Sequence, residues 1–389
     1  MAFLNYIVAA VSITITPTMN RFTTVTTALL LALLLSACEK PQKEAAPAAN
    51  AAPSNAAPTN PADTLILPEE RQWLANIRQL TFGGENAEGY FSFDEKKFSF
   101  QRTNPEQGIP CDQIFMYDLA TGNQRLISTG KGRTTCSYFL PGDSLILYAS
   151  THRADTACPA PPDFSKGYTW ALYSGYDIFV ADTSGKIVRQ LTDAPGYDAE
   201  ATVAATGDKI IFTSTRTGDI ELFSMNLDGS NLRQLTNLPG YDGGAFYSWD
   251  GKKIVFRASR PEGEKLEEYK QLLKEGLVRP SKMELVVMNA DGSGLRQITN
   301  NGAANFAPFW HPDGEHIIFS SNMADPKGRN FDLYLIRQDG SDLKRVTTNG
   351  TFDGFPMFTR DGKRLIFASN RNAAKQGETN LFIADFRGW

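Results

Sequence analysis

The stretch Asn305–Thr347 decides the fold. It reads Asn305-Phe-Ala-Pro-Phe-Trp-His-Pro-Asp-Gly-Glu-His-Ile-Ile-Phe-Ser-Ser-Asn322 and, after a polar break, Asp332-Leu-Tyr-Leu-Ile-Arg-Gln-Asp-Gly340 and Leu343-Lys-Arg-Val-Thr347. Two Asp-Gly pairs, at 313–314 and 339–340, each separate two runs rich in aromatic and β-branched residues, which is a strong signal for a β-hairpin. The stretch therefore predicts four short antiparallel strands, a to d, in a sheet that needs neighbours to bury its faces.

The same pattern occurs six times along the chain, which indicates a repeat architecture. The first strands begin near Asn86, Arg133, Asp198, Asp242, Asn305 and Asp353. The sixth copy ends at Trp389 without a strand d, but residues 77–81, Ile-Arg-Gln-Leu-Thr, match the strand-d pattern ahead of the first copy. If this segment completes the sixth copy, the ring closes and its sheet edges are no longer exposed.

We therefore predict an all-β fold, a six-bladed β-propeller of four-stranded antiparallel blades, with residues 77–81 completing the last blade. A linear solenoid is the rival architecture, but it would need polar capping repeats at both ends rather than one repeat split between them.

Two long insertions fall on one side of the predicted propeller. We call this side, which carries the b–c and d–a connections, the top face. The b–c connection of blade two is 151–175, and that of blade four, 260–283, contains apolar residues at the spacing of one short helix. Because loops on a rigid scaffold commonly carry binding, we expect the top face to bind a partner, with His152, Trp170 and Tyr173 as contacts. The alternative is that the insertions only cover the rim.

Polar residues occupy one column of the repeat, where each inner strand leaves the top face. With the acids two positions further along, the predicted ring around the channel mouth is Asn86, Glu88, Arg133, Asp198, Glu200, Asp242, Asn305 and Asp353. Such a ring could hold a cation such as calcium or grip amines and hydroxyls of a ligand. The alternative is structural, because Asp and Asn often cap their own turns. An arginine that recurs after strand b, as at Arg216 and Arg371, is expected to join neighbouring blades.

The N-terminal region reads as a targeting segment. Residues 1–38 are predicted to be a signal peptide that ends in Leu35-Ser-Ala-Cys38, which resembles the bacterial lipobox and implies lipidation of Cys38. Met19 alone begins a well-formed signal, so translation can start there. Residues 39–64, rich in Ala and Pro, are predicted to be a disordered tether, and 65–389 the propeller.

Three further cysteines fall at top-face positions of blades one and two. In an oxidising compartment two of them can pair, and we predict a disulfide between Cys111 and Cys136, with Cys158 free. The histidines do not gather at the channel mouth, so the sequence predicts no metal ligands there and no cofactor. A net charge of −4 argues against nucleic-acid binding.

The repeat resembles a known family. Residues 305–314 and 352–362, the latter Phe-Asp-Gly-Phe-Pro-Met-Phe-Thr-Arg-Asp-Gly, are similar to the WD40-like Pro-Asp (PD40) repeat of TolB-like propellers. The resemblance covers residues 78–386 and implies a propeller in the cell envelope. TolB proteins carry an α/β domain before the propeller, whereas here only residues 65–77 separate the tether from the first blade.

Taken together, these features predict a monomer that is lipid-anchored, faces the periplasm and lies at the outer membrane. It is expected to bind an envelope protein or a glycan through its top face without catalysis. Two alternatives stay open. One is a polysaccharide-cleaving enzyme that uses a pair of carboxylates from Glu88, Asp198, Glu200 and Asp242. The other is a Tol–Pal-type envelope component.

Overall fold

The computed structural model describes residues 64–388, apart from 164, 166, 281, 326, 327 and 329. The predicted signal peptide, the lipobox with Cys38 and nearly all of the tether lie outside the described residues. Within the described part, the strands form six four-stranded antiparallel sheets and one two-stranded sheet. The prediction of an all-β, six-bladed propeller is confirmed. None of the helices in this part is long and apolar enough to span a membrane.

The first three blades follow one another along the chain. Blade one contains strands Glu85–Phe91, Lys97–Asn104, Ile109–Asp118 and Gln124–Leu126. Blade two contains Thr134–Phe139, Leu145–Ser150, Asp177–Asp182 and Ile187–Gln190. Blade three contains Asp198–Val203, Lys209–Ser214, Glu221–Asn226 and Arg233–Gln234. In each blade the strands pair in the order a-b-c-d.

The remaining blades repeat this order, with a helix inserted in blade four. Blade four contains Asp242–Tyr247, Lys253–Ala258, Glu284–Asn289 and Arg296–Gln297, and its b–c connection carries the predicted helix, Glu264–Lys274. Blade five contains Asn305–Trp310, His316–Ser321, Asp332–Arg337 and Lys344–Arg345. Blade six contains Asp353–Phe358, Arg364–Ser369, Asn380–Phe386 and, as its strand d, Leu74–Gln79. Short 3₁₀ helices span Pro68–Gln72 and Pro105–Gln107.

The second strands are apolar over most of their length because each blade is packed between two others. Residues 254–258 and 317–321, for example, are buried throughout. A continuous apolar run, rather than strict alternation, is what a strand buried on both faces requires. The inner strands contact one another in sequence around the ring, and strand a of blade six contacts strand a of blade one.

The ring is closed by the N-terminal strand, as predicted, although this strand begins and ends earlier than expected. Leu74–Gln79 pairs antiparallel with Asn380–Phe386 of blade six. Thr81, just beyond the strand, accepts a hydrogen bond from the Leu381 N–H at 2.8 Å. Thr192, Thr236, Thr299 and Thr347 accept the same bond in blades two to five, and Ser128 does so in blade one. The segment before blade one therefore takes the structural place of an ordinary fourth strand.

The 3₁₀ helix Pro68–Gln72 adds a second closing contact. Glu70 is completely buried, and its carboxylate lies 3.3 Å from the guanidinium of Arg371 in blade six. The same carboxylate accepts a hydrogen bond at 2.8 Å from the N–H of Thr348, just after blade five. Residues ahead of the closing strand are thus fastened to both blades at the seam.

Candidate functional site

The polar column predicted to surround the channel mouth is instead buried within the blades. Its acids and amides are almost fully buried: Asn86, Asp198, Asp242, Asn305 and Asp353. None of the five lines the central cavity. Their polar groups form bonds within the propeller itself, so these residues do not form the predicted ligand-binding ring.

The acids of this column pair with arginines of their own blade. Asp198 lies 2.7 Å from Arg216, and Asp353 lies 3.0 Å from Arg371. The expectation that these arginines join neighbouring blades is therefore wrong for both pairs. The two asparagines make the inter-blade bonds instead. Asn305 donates to the Met283 carbonyl at 2.8 Å, and Asn86 donates to the Thr379 carbonyl at 3.1 Å.

Arg133 does not belong to this column, because the repeat alignment is one residue out of register in blade two. Thr134 pairs with Ser150 in the same way that Asp198 pairs with Ser214. The error arises at Leu145, which takes the first position of strand b. In the other blades this position is a charged residue or His316. The apolar Leu145 therefore resembles the second position of strand b, and the alignment of blade two shifts by one residue. Arg133 lines the cavity, with its guanidinium 2.7 Å from Asp112 of blade one.

The actual ring lies two positions further along each inner strand. It consists of Glu88, Cys136, Glu200, Gly244, Ala307 and Phe355, which all line the cavity. All six have positive φ, between 41° and 61°, and each sits at or next to a break in the register between strands a and b. A β-bulge with one residue in the left-handed region re-aims that residue's side chain. The repeat therefore points one side chain per blade toward the axis, except in blade four, where the position is Gly244.

Blades one to three contribute the polar half of this ring, and Glu200 is its best-bound member. The Glu200 carboxylate forms a short ion pair with Arg257 and accepts hydrogen bonds from the hydroxyls of Thr213 at 2.8 Å and Tyr241 at 3.0 Å. The Gly244 N–H also donates to it, at 3.0 Å. Burial alone would lower the pKa of Arg257, but the adjacent Glu200 charge outweighs burial and raises it. Arg257 therefore stays charged beside Glu200.

Glu88 differs from Glu200 because it has no arginine partner among the described residues that line the cavity. It is 8 % exposed, and its Oε2 has no hydrogen-bond partner in the described structure. Burial raises the pKa of Glu88, although a hydrogen bond with the Cys136 thiol opposes the shift. Burial likewise raises the pKa of the Cys136 thiol, with a further contribution from the Glu88 charge. The polar half thus combines a fixed ion pair with a carboxyl group whose pKa is raised by burial.

Asp112 and Arg133 form the second ion pair of the cavity. Burial alone would raise the pKa of Asp112, but Arg133 beside it outweighs burial and lowers it. The guanidinium of Arg133 also lies 5.9 Å from the ring centroid of Tyr173. This arrangement leaves both charges compensated.

An aromatic wall faces the polar residues across the cavity. We define this wall as Trp170, Phe306, Phe331, Phe352 and Phe355, whose successive ring centroids lie 5.3–6.0 Å apart. Trp170 also lies 5.3 Å from the guanidinium of Arg257. The wall therefore offers an apolar surface to any group that enters from the top face.

The two predicted insertions meet above the cavity and place Trp170 there. Strand Trp170–Ala171 of the blade-two insertion pairs with Leu277–Val278 of the blade-four insertion. We call this two-stranded sheet the roof. Trp170, Leu172 and Tyr173 line the cavity. His152 does not; its Nδ1 lies 2.9 Å from the Ser150 hydroxyl and its ring packs on Phe179.

Aromatic side chains close the channel below the cavity. Tyr90 and Phe246 line its lower part with ring centroids 5.7 Å apart, and Tyr138 packs on both. A smaller cavity, lined partly by Tyr138 and Trp249, lies on the other side of these rings. The upper cavity, of about 150 Å³, is therefore a pocket open toward the top face rather than a through channel.

The predicted Cys111–Cys136 disulfide is wrong. Cys111 bonds with Cys158, with Cα atoms 5.9 Å apart, and Cys136 is free. The reason is the bulge in strand a of blade two, which turns Cys136 toward the cavity and away from Cys111. The disulfide still connects blade one to blade two, but through the insertion that carries Trp170.

The carboxylates do not converge as a metal site requires. Among the described residues, no three His, Cys, Asp or Glu side chains form a group able to hold a metal ion. The acids of the former ring column face arginines or amides of the scaffold instead. The predicted calcium-binding ring therefore has no support in the geometry.

Comparison with known proteins gives the fold. No protein-family model matches the sequence, and neither does any curated protein. TolB from Acinetobacter baumannii superimposes with a TM-score of 0.51 at 18 % identity, over 69 % of this chain and 56 % of that one. A TolB-type protein from Agrobacterium tumefaciens gives a TM-score of 0.50 at 16 % identity, over 78 % and 91 % of the two chains.

The chain therefore has the TolB-like six-bladed propeller fold, and it spans just over half of the length of the Acinetobacter protein. An oligogalacturonate lyase from Vibrio parahaemolyticus superimposes with a TM-score of 0.46 at 14 % identity, a similarity too low to bear on function. Identities of this size establish a shared fold only.

Sequence reasoning found Glu88, Glu200, Arg133, Trp170 and Tyr173 but missed other parts of the pocket. Cys136 was missed through the register error at Leu145. Arg257 was missed because it follows the buried Phe256 within strand b, a place that reads as scaffold. One signal was available: blade four has glycine at position 244, where every other blade has a residue with a side chain. That gap is the space that Arg257 fills.

Proposed function

We propose that this protein is a lipid-anchored, periplasm-facing binding protein of the cell envelope. Its top-face pocket binds part of an envelope protein or of a glycan. The observation that carries the proposal is the roofed pocket itself. Two insertions from different blades pair with each other and place Trp170 over a cavity that is polar on one side and aromatic on the other. Small-molecule and side-chain sites in proteins have this combination of apolar lining and few polar groups.

The anchor and the location rest on the sequence. The lipobox-like ending at Cys38 and the signal peptide before it support export and lipidation, and residues 39–64 would then serve as a tether. The outer membrane is the proposed location, with the propeller acting as a monomer.

Capture from the protein's own membranes tests the binding proposal. The tethered protein and two variants would be crosslinked and purified. Ala307→Phe fills the pocket at a ring position where blade six already carries Phe355, and the control, Lys252→Ala, alters an exposed turn on the opposite face. We expect partners that bind the pocket to be lost from Ala307→Phe and retained by Lys252→Ala. Equal recovery from both variants would contradict the proposal. Recovery of Tol–Pal components would support the Tol–Pal-type alternative.

One observation favours a second candidate function, cleavage of a polysaccharide. Of the four carboxylates first considered, only Glu88 and Glu200 share the pocket; Asp198 and Asp242 are buried elsewhere. Burial raises the pKa of Glu88 while Glu200 is paired with Arg257, which resembles the division between an acid and a base. Against this, the Glu200 carboxylate is already held by three hydrogen bonds and an ion pair. Release of new reducing ends from envelope polysaccharide, abolished by Glu88→Gln, would establish the enzyme.

A further inference from the structure

The pocket contains one carboxyl group that no ion pair satisfies. Three carboxyl groups line it, those of Glu88, Asp112 and Glu200. Asp112 and Glu200 are held by Arg133 and Arg257. Glu88 is more than nine-tenths buried, and its Oε2 has no partner in the described structure; Arg257 Nε is the other lining atom without one. An unpaired buried oxygen of this kind is destabilising, so a ligand that satisfies it gains affinity.

The balance of charge favours an uncharged ligand. Both arginines of the pocket are neutralised, and burial raises the pKa of the Glu88 carboxyl group. A neutral carboxyl group both donates and accepts a hydrogen bond. A cationic ligand would require Glu88 to ionise against the cost of burial and beside the charge of Glu200, and an anionic ligand would have to compete with Glu200 for Arg257.

The aromatic wall selects the shape of the ligand. Phe306, Phe331, Phe352 and Phe355 present a continuous apolar surface opposite Glu88, Cys136 and Glu200. A ligand that fits must have a flat apolar face on one side and polar groups at its edge. The cavity, about 150 Å³, has room for roughly ten water-sized positions, enough for a single ring.

We propose that this pocket binds one uncharged sugar ring, which stacks on the aromatic wall and places its hydroxyl groups against Glu88. A pyranose combines an axial C–H face with a hydroxylated edge, whereas a phenylalanine side chain would leave the polar side of the pocket unpaired. The ring can belong to the end of a glycan or to a free saccharide. This inference rests on the proposed function of the top-face pocket and specifies its ligand.

Ligand-observed NMR tests the inference on the full-length protein in detergent. The probes are methyl glycosides of glucose, galactose, mannose and N-acetylglucosamine, with methyl glucuronide and methyl glucosaminide as charged counterparts. We expect at least one uncharged glycoside to bind about tenfold more tightly than the charged ones, a difference of about 1.4 kcal/mol. Glycan fragments ending in the same sugar would bind similarly or better if the natural source is a glycan.

Two variants separate hydrogen bonding from packing. Glu88→Ala and Phe355→Ala are each expected to weaken the uncharged sugar about tenfold or more. The conservative Glu88→Gln is expected to restore binding, because its amide also donates and accepts. Since ionised Glu88 cannot donate, affinity of the wild type should fall as pH rises, and Glu88→Gln should remove this dependence. Thermal unfolding would confirm that each variant is folded.

Each other outcome overturns the inference in a recognisable way. Tighter binding of the glucuronide or the glucosaminide would show that the pocket recognises charge instead. If no glycoside binds but the captured partner is still lost from Ala307→Phe, the sugar is wrong while the proposed function stands. If Ala307→Phe also captures the partner as well as the wild type does, both the sugar inference and the proposed function fail.

Discussion

Arg257 occupies the volume that a side chain at position 244 would need. A Cβ built on Gly244 would overlap with the guanidinium of Arg257, and the glycine has a φ of +61°. The absence of a side chain in blade four thus lets an arginine of the neighbouring strand reach the pocket. There it pairs with Glu200 of blade three and donates to the hydroxyl of Tyr241 at 2.7 Å.

Gly244→Ala is expected to destabilise the protein and to displace Arg257 from the pocket. The methyl group displaces Arg257 and leaves Glu200 as a buried charge without its partner, at a cost of about 3–5 kcal/mol. Chemical denaturation measures this change. Gly314→Ala is the matched control, since Gly314 also has positive φ, +72°, but nothing lies within 4 Å of its Cβ position. Equal losses in the two variants would show that backbone strain alone is responsible.

Glu70→Ala is expected to loosen the closing seam. Glu70 is buried against Arg371 and the Thr348 N–H, and hydrogen bonds to charged groups contribute about 1.5–3 kcal/mol each. Because Asp353 still pairs with Arg371, we expect a net loss of about 2 kcal/mol in the free energy of unfolding. Glu69→Ala, at the exposed neighbour, should change it little. If the two variants unfold alike, the 3₁₀ helix does not contribute to closure.

Peptide mapping under non-reducing conditions should recover Cys111 linked to Cys158. Cys136 should react with an alkylating reagent mainly after unfolding, because burial raises the pKa of its thiol. Limited proteolysis extends the test. Cys158→Ser should expose the blade-two insertion to cleavage, while Cys136→Ser should not. Recovery of a Cys111–Cys136 peptide would contradict the structure.

The stability of the propeller should fall as pH rises from about 6 to 8, and Glu221→Gln should reduce this fall. Burial raises the pKa of Glu221 to about 8. Between the ordinary glutamate pKa and this value the folded state binds more protons than the unfolded state, so raising the pH favours unfolding.

The slope from one such group is at most about 1.4 kcal/mol per pH unit. Three aspartates with pKa values raised to about 6, Asp177, Asp242 and Asp332, also contribute up to about pH 7, so the difference between the wild type and Glu221→Gln isolates Glu221. Denaturation at pH 6, 7 and 8 makes the comparison, with Glu262→Gln on the surface as control. Identical pH profiles for the wild type and Glu221→Gln would refute the prediction.

The blade order, the closing strand and the inserted helix were all predictable because each leaves a local mark in the sequence. Apolar runs repeat six times, Asp-Gly turns recur in blades three to six, and the strand-d pattern ends in Thr81 just as it ends in Thr347. The site was predictable only in part. The direction of a side chain at a bulge depends on a single positive φ, which residues as different as Glu88 and Phe355 adopt without any shared sequence signal.

The pairing of the acids could not be predicted for a related reason. Asp198 and Glu200 lie two residues apart on one strand, and simple alternation would place both on the same side. The bulge between them sends Asp198 to Arg216 and Glu200 to the pocket. Repeat alignment locates both residues but does not show which of the two is free to meet a ligand.

The position of Glu70 has a mechanical consequence. The chain that enters the propeller from the N-terminal side first meets the contacts of Leu65 and Glu70 with Arg371 and only then the strand Leu74–Gln79. A pulling force applied ahead of Leu65 therefore loads this ion pair before it loads the strand pairing of blade six. The ion pair therefore bears tension on the leading segment first. The strand pairing that closes the ring is loaded only after the ion pair breaks.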